Sequence, residues 1–298
     1  MRIIDRLLLA GLRTANRWRF GLTLRRYRDQ QGSIAFLEIG RDHPGPTLVF
    51  LHGLGASKDQ WGRHIYALGL RHHCLFVDLP GHGQSSYEPL NGFGPTSLLG
   101  CLGGLLDENC HAQFVLVGSS LGGCAAVLYT AACPDRVKYL VALAPAGLGE
   151  ETFASAVKLR IESGVPVFGY RTVEEMFNFW RLLFKTPPKT GRLLTRALAA
   201  NGRARFSMVQ KVMNDFKREG LGQLIGYLPM ITAPSLFIWG EDDQVFNVET
   251  SQLLMSQVPV YSSILISDTG HIPYLERGRE VADAIENFIS QPLGEGAS

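Results

Sequence analysis

The segment Phe114-Val115-Leu116-Val117-Gly118-Ser119-Ser120-Leu121-Gly122-Gly123 governs how the rest of the chain is read. Its first four residues are apolar and read as a buried strand, while residues 124–132 beyond it read as a packed helix. Between them stands Gly118-x-Ser120-x-Gly122. A GxSxG pattern is short and arises by chance, but at a strand-to-helix junction it becomes specific. Its glycines let the backbone turn sharply, so the Ser120 hydroxyl projects from the C-terminal edge of the strand. Ser119 does not fit, because Val117 stands where the first glycine is required; it reads as a turn residue beside the elbow. Residues 114–133 carry no charge and are about long enough to span a bilayer. The glycines and serines at 118–123 interrupt any such span.

Working outward, apolar runs recur at 33–39, 47–51, 74–77, 138–143, 235–239 and 263–266, with helical patterns such as 96–106 and 280–290 between several of them. This alternation predicts an α/β fold with a mostly parallel central sheet and helices on both faces. Residues 149–228 break it. They hold helical stretches at 172–184 and 204–219, no strand, and ten aromatics, among them Phe177, Phe179, Trp180 and Phe184. The expected organisation is an N-terminal arm at 1–28, a core at 29–148 and 229–298, and a helical lid at 149–228. A length of 298 residues suits one such domain, and 46% hydrophobic residues exclude a disordered or fibrous chain.

A serine hydroxyl needs a neighbouring base to act as a nucleophile, and histidine titrates in the right range. Of eight histidines only His271 follows Ser120. It ends Asp268-Thr269-Gly270-His271, a loop after the 263–266 run that can carry it to the serine. An acid must hold the histidine tautomer. Glu241-Asp242-Asp243 after the 235–239 run offers three; Asp243 is the choice, Asp242 the second candidate, Glu241 a solvated residue. The 47–51 run enters His52-Gly53-Leu54-Gly55, where small residues let a backbone amide approach a substrate. The N–H groups of Leu54 and Leu121 are therefore the expected oxyanion donors, and His52 reads as a brace for the loop. Gly53-x-Gly55 followed by Asp78 imitates a dinucleotide-binding fingerprint, but Lys58 stands where the third glycine belongs. No P-loop, HExxH or calcium-loop pattern occurs, so neither cofactor nor metal is expected.

The strings HGLGASKDQW (52–61), DLPGHGQS (78–85), GSSLGG (118–123), WGEDDQV (239–245) and DTGH (268–271) resemble the α/β-hydrolase superfamily, in its order, over residues 32–290. HGLGASKDQW, LAPAGL (143–148) and TVEEM (172–176) are similar to its monoacylglycerol-lipase branch and to related bacterial lipases. The resemblance implies Ser120 as nucleophile, Asp243 as acid, His271 as base, Leu54 and Leu121 as oxyanion donors, and 149–228 as lid. Haloalkane dehalogenases and epoxide hydrolases resemble the pattern too, but use an aspartate where this chain has Ser120. The implied activity is hydrolysis of carboxylic esters with apolar acyl chains through an acyl-enzyme. Two alternatives stand beside it: C–C bond hydrolysis of dienoic ring-cleavage products, and a non-catalytic ligand-binding protein of the same fold.

Charge is unevenly spread. The net +2 conceals +7 over residues 1–28, +6 over 149–228 and −11 over the remainder. On a helix, Arg2, Arg6, Arg13 and Arg17 fall within about 60° of one another, with Ile4, Leu7, Leu8, Ala15 and Trp18 opposite. Such a helix either lies in a lipid interface or packs on the protein's own surface. The membrane-bound relatives carry a spanning helix here, which the arginines of this chain interrupt. The expected partners are an ester or lipid substrate and an anionic membrane met through residues 1–20 and the lid, with no nucleic acid. Five cysteines with no CxxC spacing point to a reducing compartment, hence to the cytoplasm or the cytoplasmic face of a membrane.

Overall fold

Eight strands pair into one sheet in the order β1-β2-β4-β3-β5-β6-β7-β8. In the computed structural model they are β1 (Thr23–Asp29), β2 (Gly32–Ile39), β3 (Leu48–Leu51), β4 (Cys74–Val77), β5 (Phe114–Ser119), β6 (Val137–Leu143), β7 (Ser235–Gly240) and β8 (Tyr261–Ile266). The structure describes residues 1–110 and 112–291; His111 and the end of the expected core range, 292–298, lie outside the described residues. β2 runs antiparallel to β1 and β4, and every pairing from β4 to β8 is parallel. Each apolar run read from the sequence is a strand.

β1 has no counterpart in that reading, and with it the sheet takes in the last part of the 1–28 arm. Arg25, Arg26 and Arg28 disguise it as a basic tail, yet charge is what keeps an exposed edge strand from pairing with another chain. β8, at the other edge, is mostly exposed rather than buried.

Side chains alternate across the sheet as the two-residue strand period requires. Phe114 and Leu116 of β5 enter the core on one face, Val115 and Val117 that on the other. Each such side chain, fully buried, stabilises the fold by about 1.5–3 kcal/mol. β5 is consequently among the most constrained strands, and its end is a rigid place from which to project a side chain.

Between β6 and β7 the chain forms helices Ser155–Glu162, Val173–Leu183 and Arg192–Glu219. The second is capped at its start: the Thr172 hydroxyl accepts the Glu175 N–H at 3.1 Å, and Glu175 accepts the Arg171 N–H at 2.7 Å. The third starts earlier than residue 204. It runs through Gly202, which admits the Tyr170 ring into the space a Cβ would occupy.

The N-terminal helix is Ile3–Phe20. It packs on the body through the side carrying Asp5, Leu9 and Arg17, and turns Ile4, Leu7 and Trp18, the last 87% exposed, to solvent. Packing on the protein's own surface is thus present, through Asp5, Leu9 and Arg17, while Arg2, Arg6 and much of the apolar side stay exposed. Among the described residues no helix is long and apolar enough to cross a membrane.

Candidate active site

The parallel strands β3, β5, β7 and β8 deliver their C-terminal loops to one edge of the sheet, and every predicted site residue lies there. Ser120 follows β5 with φ 52° and ψ −113°, a conformation that costs a non-glycine residue about 1–3 kcal/mol. Three backbone bonds hold it: its N–H donates to Leu143 O at 2.9 Å, and its carbonyl accepts from Cys124 N at 2.9 Å and Ala146 N at 3.0 Å. The flanking glycines permit the turn by close approach rather than by an unusual backbone conformation. Neither Gly118 nor Gly122 has positive φ; what they supply is closeness. A Cβ on Gly118 would lie 2.2 Å from Gly122 O, and one on Gly122 would lie 2.1 Å from Leu51 O. Ser120 itself carries the strain of the turn.

His271 and Asp243 meet across the β7 and β8 loops. His271 Nδ1 lies 2.8 Å from Asp243 Oδ2, and both side chains are buried. The other carboxylate oxygen accepts N–H groups of Val245 at 2.7 Å and Phe246 at 3.1 Å. With the acid fixed as acceptor, Nδ1 bears the proton and Nε2 keeps its lone pair. That Nε2 is buried without a hydrogen-bond partner among the described residues, and His271 lines the same cavity as Ser120. Asp242, the second candidate, instead pairs with Lys185 Nζ at 2.6 Å.

Leu54 and Leu121 both line the space around Ser120, and among the described residues neither N–H donates to another protein group. The Leu54 loop is braced by His52, as expected. His52 Nε2 accepts the Leu79 N–H at 3.1 Å, so the proton sits on Nδ1 and is donated to Gly53 O at 2.8 Å. Burial lowers the His52 pKa, against the pull of Asp78, and keeps the ring neutral. A Cβ on Gly53 would lie 3.3 Å from the Ser120 Cβ, so glycine there keeps the hydroxyl accessible.

Two cavities flank Ser120. One, about 260 Å³, is lined by Gln60, Tyr170, Trp180, Thr190, His271 and Tyr274, among others. The other is narrower, about 40 Å³, and apolar: Phe153, Phe168, Met213, Phe216 and Phe246 line it. Leu54, Ser120 and Phe168 face both. Of the aromatics noted in 149–228, Phe179, Trp180 and Phe184 line the larger cavity and Phe177 does not. Sequence reading missed Phe168 and Tyr170, which stand in a loop with no period to single them out. It also missed Glu276, whose carboxylate accepts the Gly270 N–H at 2.8 Å and the N–H groups of Lys185 and Thr186. Glu276 thereby ties the His271 loop to the helical insertion.

Residues 46–278 match the family model described as the alpha/beta hydrolase fold. The chain belongs to this family. Similar members include the human monoacylglycerol lipase ABHD6, 28% identical over 289 residues, covering 92% of this chain and 84% of the relative. Lipase 1 of Psychrobacter immobilis is 25% identical, covering 83% and 77%. Among solved structures, a membrane phospholipase A described as a novel bacterial virulence factor superimposes with a TM-score of 0.88 at 27% identity, covering 96% of this chain and 91% of that one. Within this α/β hydrolase, the elbow, the His271–Asp243 pair and the Leu54 loop occupy one end of one sheet.

Proposed function

We propose that this α/β hydrolase cleaves carboxylic esters with apolar acyl chains, monoacylglycerols being the substrate class to test first. The observation that carries the reading is the buried His271–Asp243 pair, with Nε2 unpartnered among the described residues and His271 lining the same cavity as Ser120. The names of the similar lipases support it.

In this mechanism His271 Nε2 takes the proton of Ser120 as its oxygen attacks the ester carbonyl. Asp243 stabilises the imidazolium, and the amides of Leu54 and Leu121 bind the oxyanion. His271 then passes the proton to the departing alcohol, leaving an acyl-enzyme that water cleaves by the same steps. The apolar cavity takes the acyl chain, at about 0.8 kcal/mol per buried CH₂, and residues 149–228 act as its lid. Among the described residues no lysine or arginine lines either cavity, which favours a neutral ester over the carboxylate substrate of a C–C hydrolase.

The exposed Ile4, Leu7 and Trp18 and the basic flanks support contact with an anionic membrane surface through residues 1–20. The five free cysteines support the cytoplasmic side. Ser120→Ala is expected to abolish p-nitrophenyl ester hydrolysis while leaving the circular dichroism spectrum unchanged; persistent turnover would falsify the mechanism. Sedimentation with anionic vesicles is expected to weaken with salt and on deletion of residues 1–20. Equal binding by the truncated protein refutes that contact.

A further inference from the structure

Arg17 lies outside the 46–278 region that the family model matches, yet it reaches the loop that carries Leu54. Its guanidinium forms a fork with Asp59: Nε to Oδ1 at 2.9 Å and Nη2 to Oδ2 at 3.0 Å. Nη2 also donates to Gln84 Oε1 at 2.8 Å. Behind this joint Lys58, fully buried, donates to Asp78 at 2.6 Å, to Gln84 at 3.0 Å and to Asp59 at 3.4 Å. The Lys58 N–H and the Gln84 N–H both close on the Asp78 carboxylate, at 2.8 and 2.7 Å. Arg17 and Lys58 thus pair directly with Asp59 and Asp78 in a largely buried site, and Arg205 adds positive charge beside both acids.

The pairing is structural in a particular place. Residues 52–61 form one rope: Leu54 near its start, Lys58-Asp59-Gln60 as a short 3₁₀ turn near its end. The start is held by His52 and the end by this charge set. Gln60, next to Asp59, lines the cavity with Ser120. Removing Arg17 takes away the fork on Asp59 and leaves it only the longer contacts to Lys58 at 3.4 Å and Arg13 at 3.9 Å, so the 58–60 turn loses its closest anchor and is free to move toward water. A second anchor joins the same helix to the insertion: Asp5, almost fully buried, pairs with Arg196 at 2.9 Å.

We propose that Arg17 is a positioning residue for the oxyanion site, holding the Leu54 amide through Asp59 and the 52–61 loop. This rests on the serine-hydrolase reading above. The N-terminal helix is then a working part of the catalytic body as well as a surface element.

The test is turnover of soluble p-nitrophenyl butyrate without lipid, with kcat normalised to the sites that react with a fluorophosphonate. Arg17→Ala is expected to lower kcat about tenfold or more with KM within about twofold, a part of the 10²–10³-fold that complete loss of one oxyanion donor brings. Arg17→Lys, which keeps the charge but not the fork, is expected to recover part of the loss. Arg28→Ala, at an exposed arginine of β1, is expected to match wild type. Should Arg17→Ala not fold, the near-isosteric Asp59→Asn opens the same joint from the other side and is expected to show the same kcat loss. A kcat within twofold of wild type in either folded variant, or a change in KM alone, overturns the proposal. Wild-type protein that neither turns over the ester nor labels overturns the parent reading, and this one with it.

Discussion

The two amides proposed to receive the oxyanion are held in opposite ways. Leu121 sits on an elbow made rigid by contact: glycines at 118 and 122 bring backbone atoms to distances that no Cβ allows. Leu54 sits on a loop held by polar bonds, with His52 at one end and the Lys58–Asp78–Asp59–Arg17 set at the other. Packing fixes one half of the site and electrostatics the other. The comparison teaches that the two halves are vulnerable to different insults: a methyl group should damage the first, loss of one charge the second.

The largest effect is expected on the packed side. Gly122→Ala places a Cβ against Leu51 O at 2.1 Å and His52 O at 2.6 Å, so the elbow helix and the end of β3 must separate. A shift approaching 1 Å at the nucleophile costs about 10²-fold, and kcat per folded molecule should fall by that much or more. Full activity in Gly122→Ala would mean that closeness of backbone does not hold the elbow.

A smaller effect is expected on the charged side. Asp78→Asn keeps the shape but leaves Lys58 buried without its main partner, which should cost about 3–5 kcal/mol of stability, read as a lower urea midpoint. Burial raises the Asp78 pKa, but the Lys58 charge and the hydrogen bonds of Lys58 and Gln84 outweigh it, so the carboxyl is held below the ordinary aspartate range. Its contribution is therefore present above the ordinary aspartate pKa and is lost as pH falls through the lowered one. Asp78→Asn should flatten the acid limb of the stability profile; an unaltered limb would assign that limb to other groups.

The same division explains what was legible in the sequence. The elbow, the strands and the Ser120, Asp243 and His271 positions could be read because close packing and strand-end loops demand particular residue types at particular spacings. Even there, the sequence did not reveal that the glycines act through close backbone approach rather than through positive φ. The charged half was opaque. Lys58 looked like a defect in a nucleotide-binding pattern, and its buried partner Asp78 like that pattern's acid. Arg17 looked like one of several surface arginines, because nothing local in the chain announces a partner 42 residues away. The exposed edge strand β1 was hidden for a related reason: its arginines signal charge, and charge at an edge is compatible with a strand. Choosing Asp243 over Asp242 rested on motif position; the geometry gives each acid a distinct neighbour, His271 for one and Lys185 for the other.

Covalent capture of the nucleophile tests the central claim most directly. Wild-type protein is incubated with a fluorophosphonate, digested, and the modified peptide identified by mass spectrometry. A single adduct on Ser120, absent in Ser120→Ala and strongly slowed in His271→Ala, is the predicted result. Absence of an adduct in folded wild-type protein, or an adduct on another residue that persists in Ser120→Ala, would contradict the account.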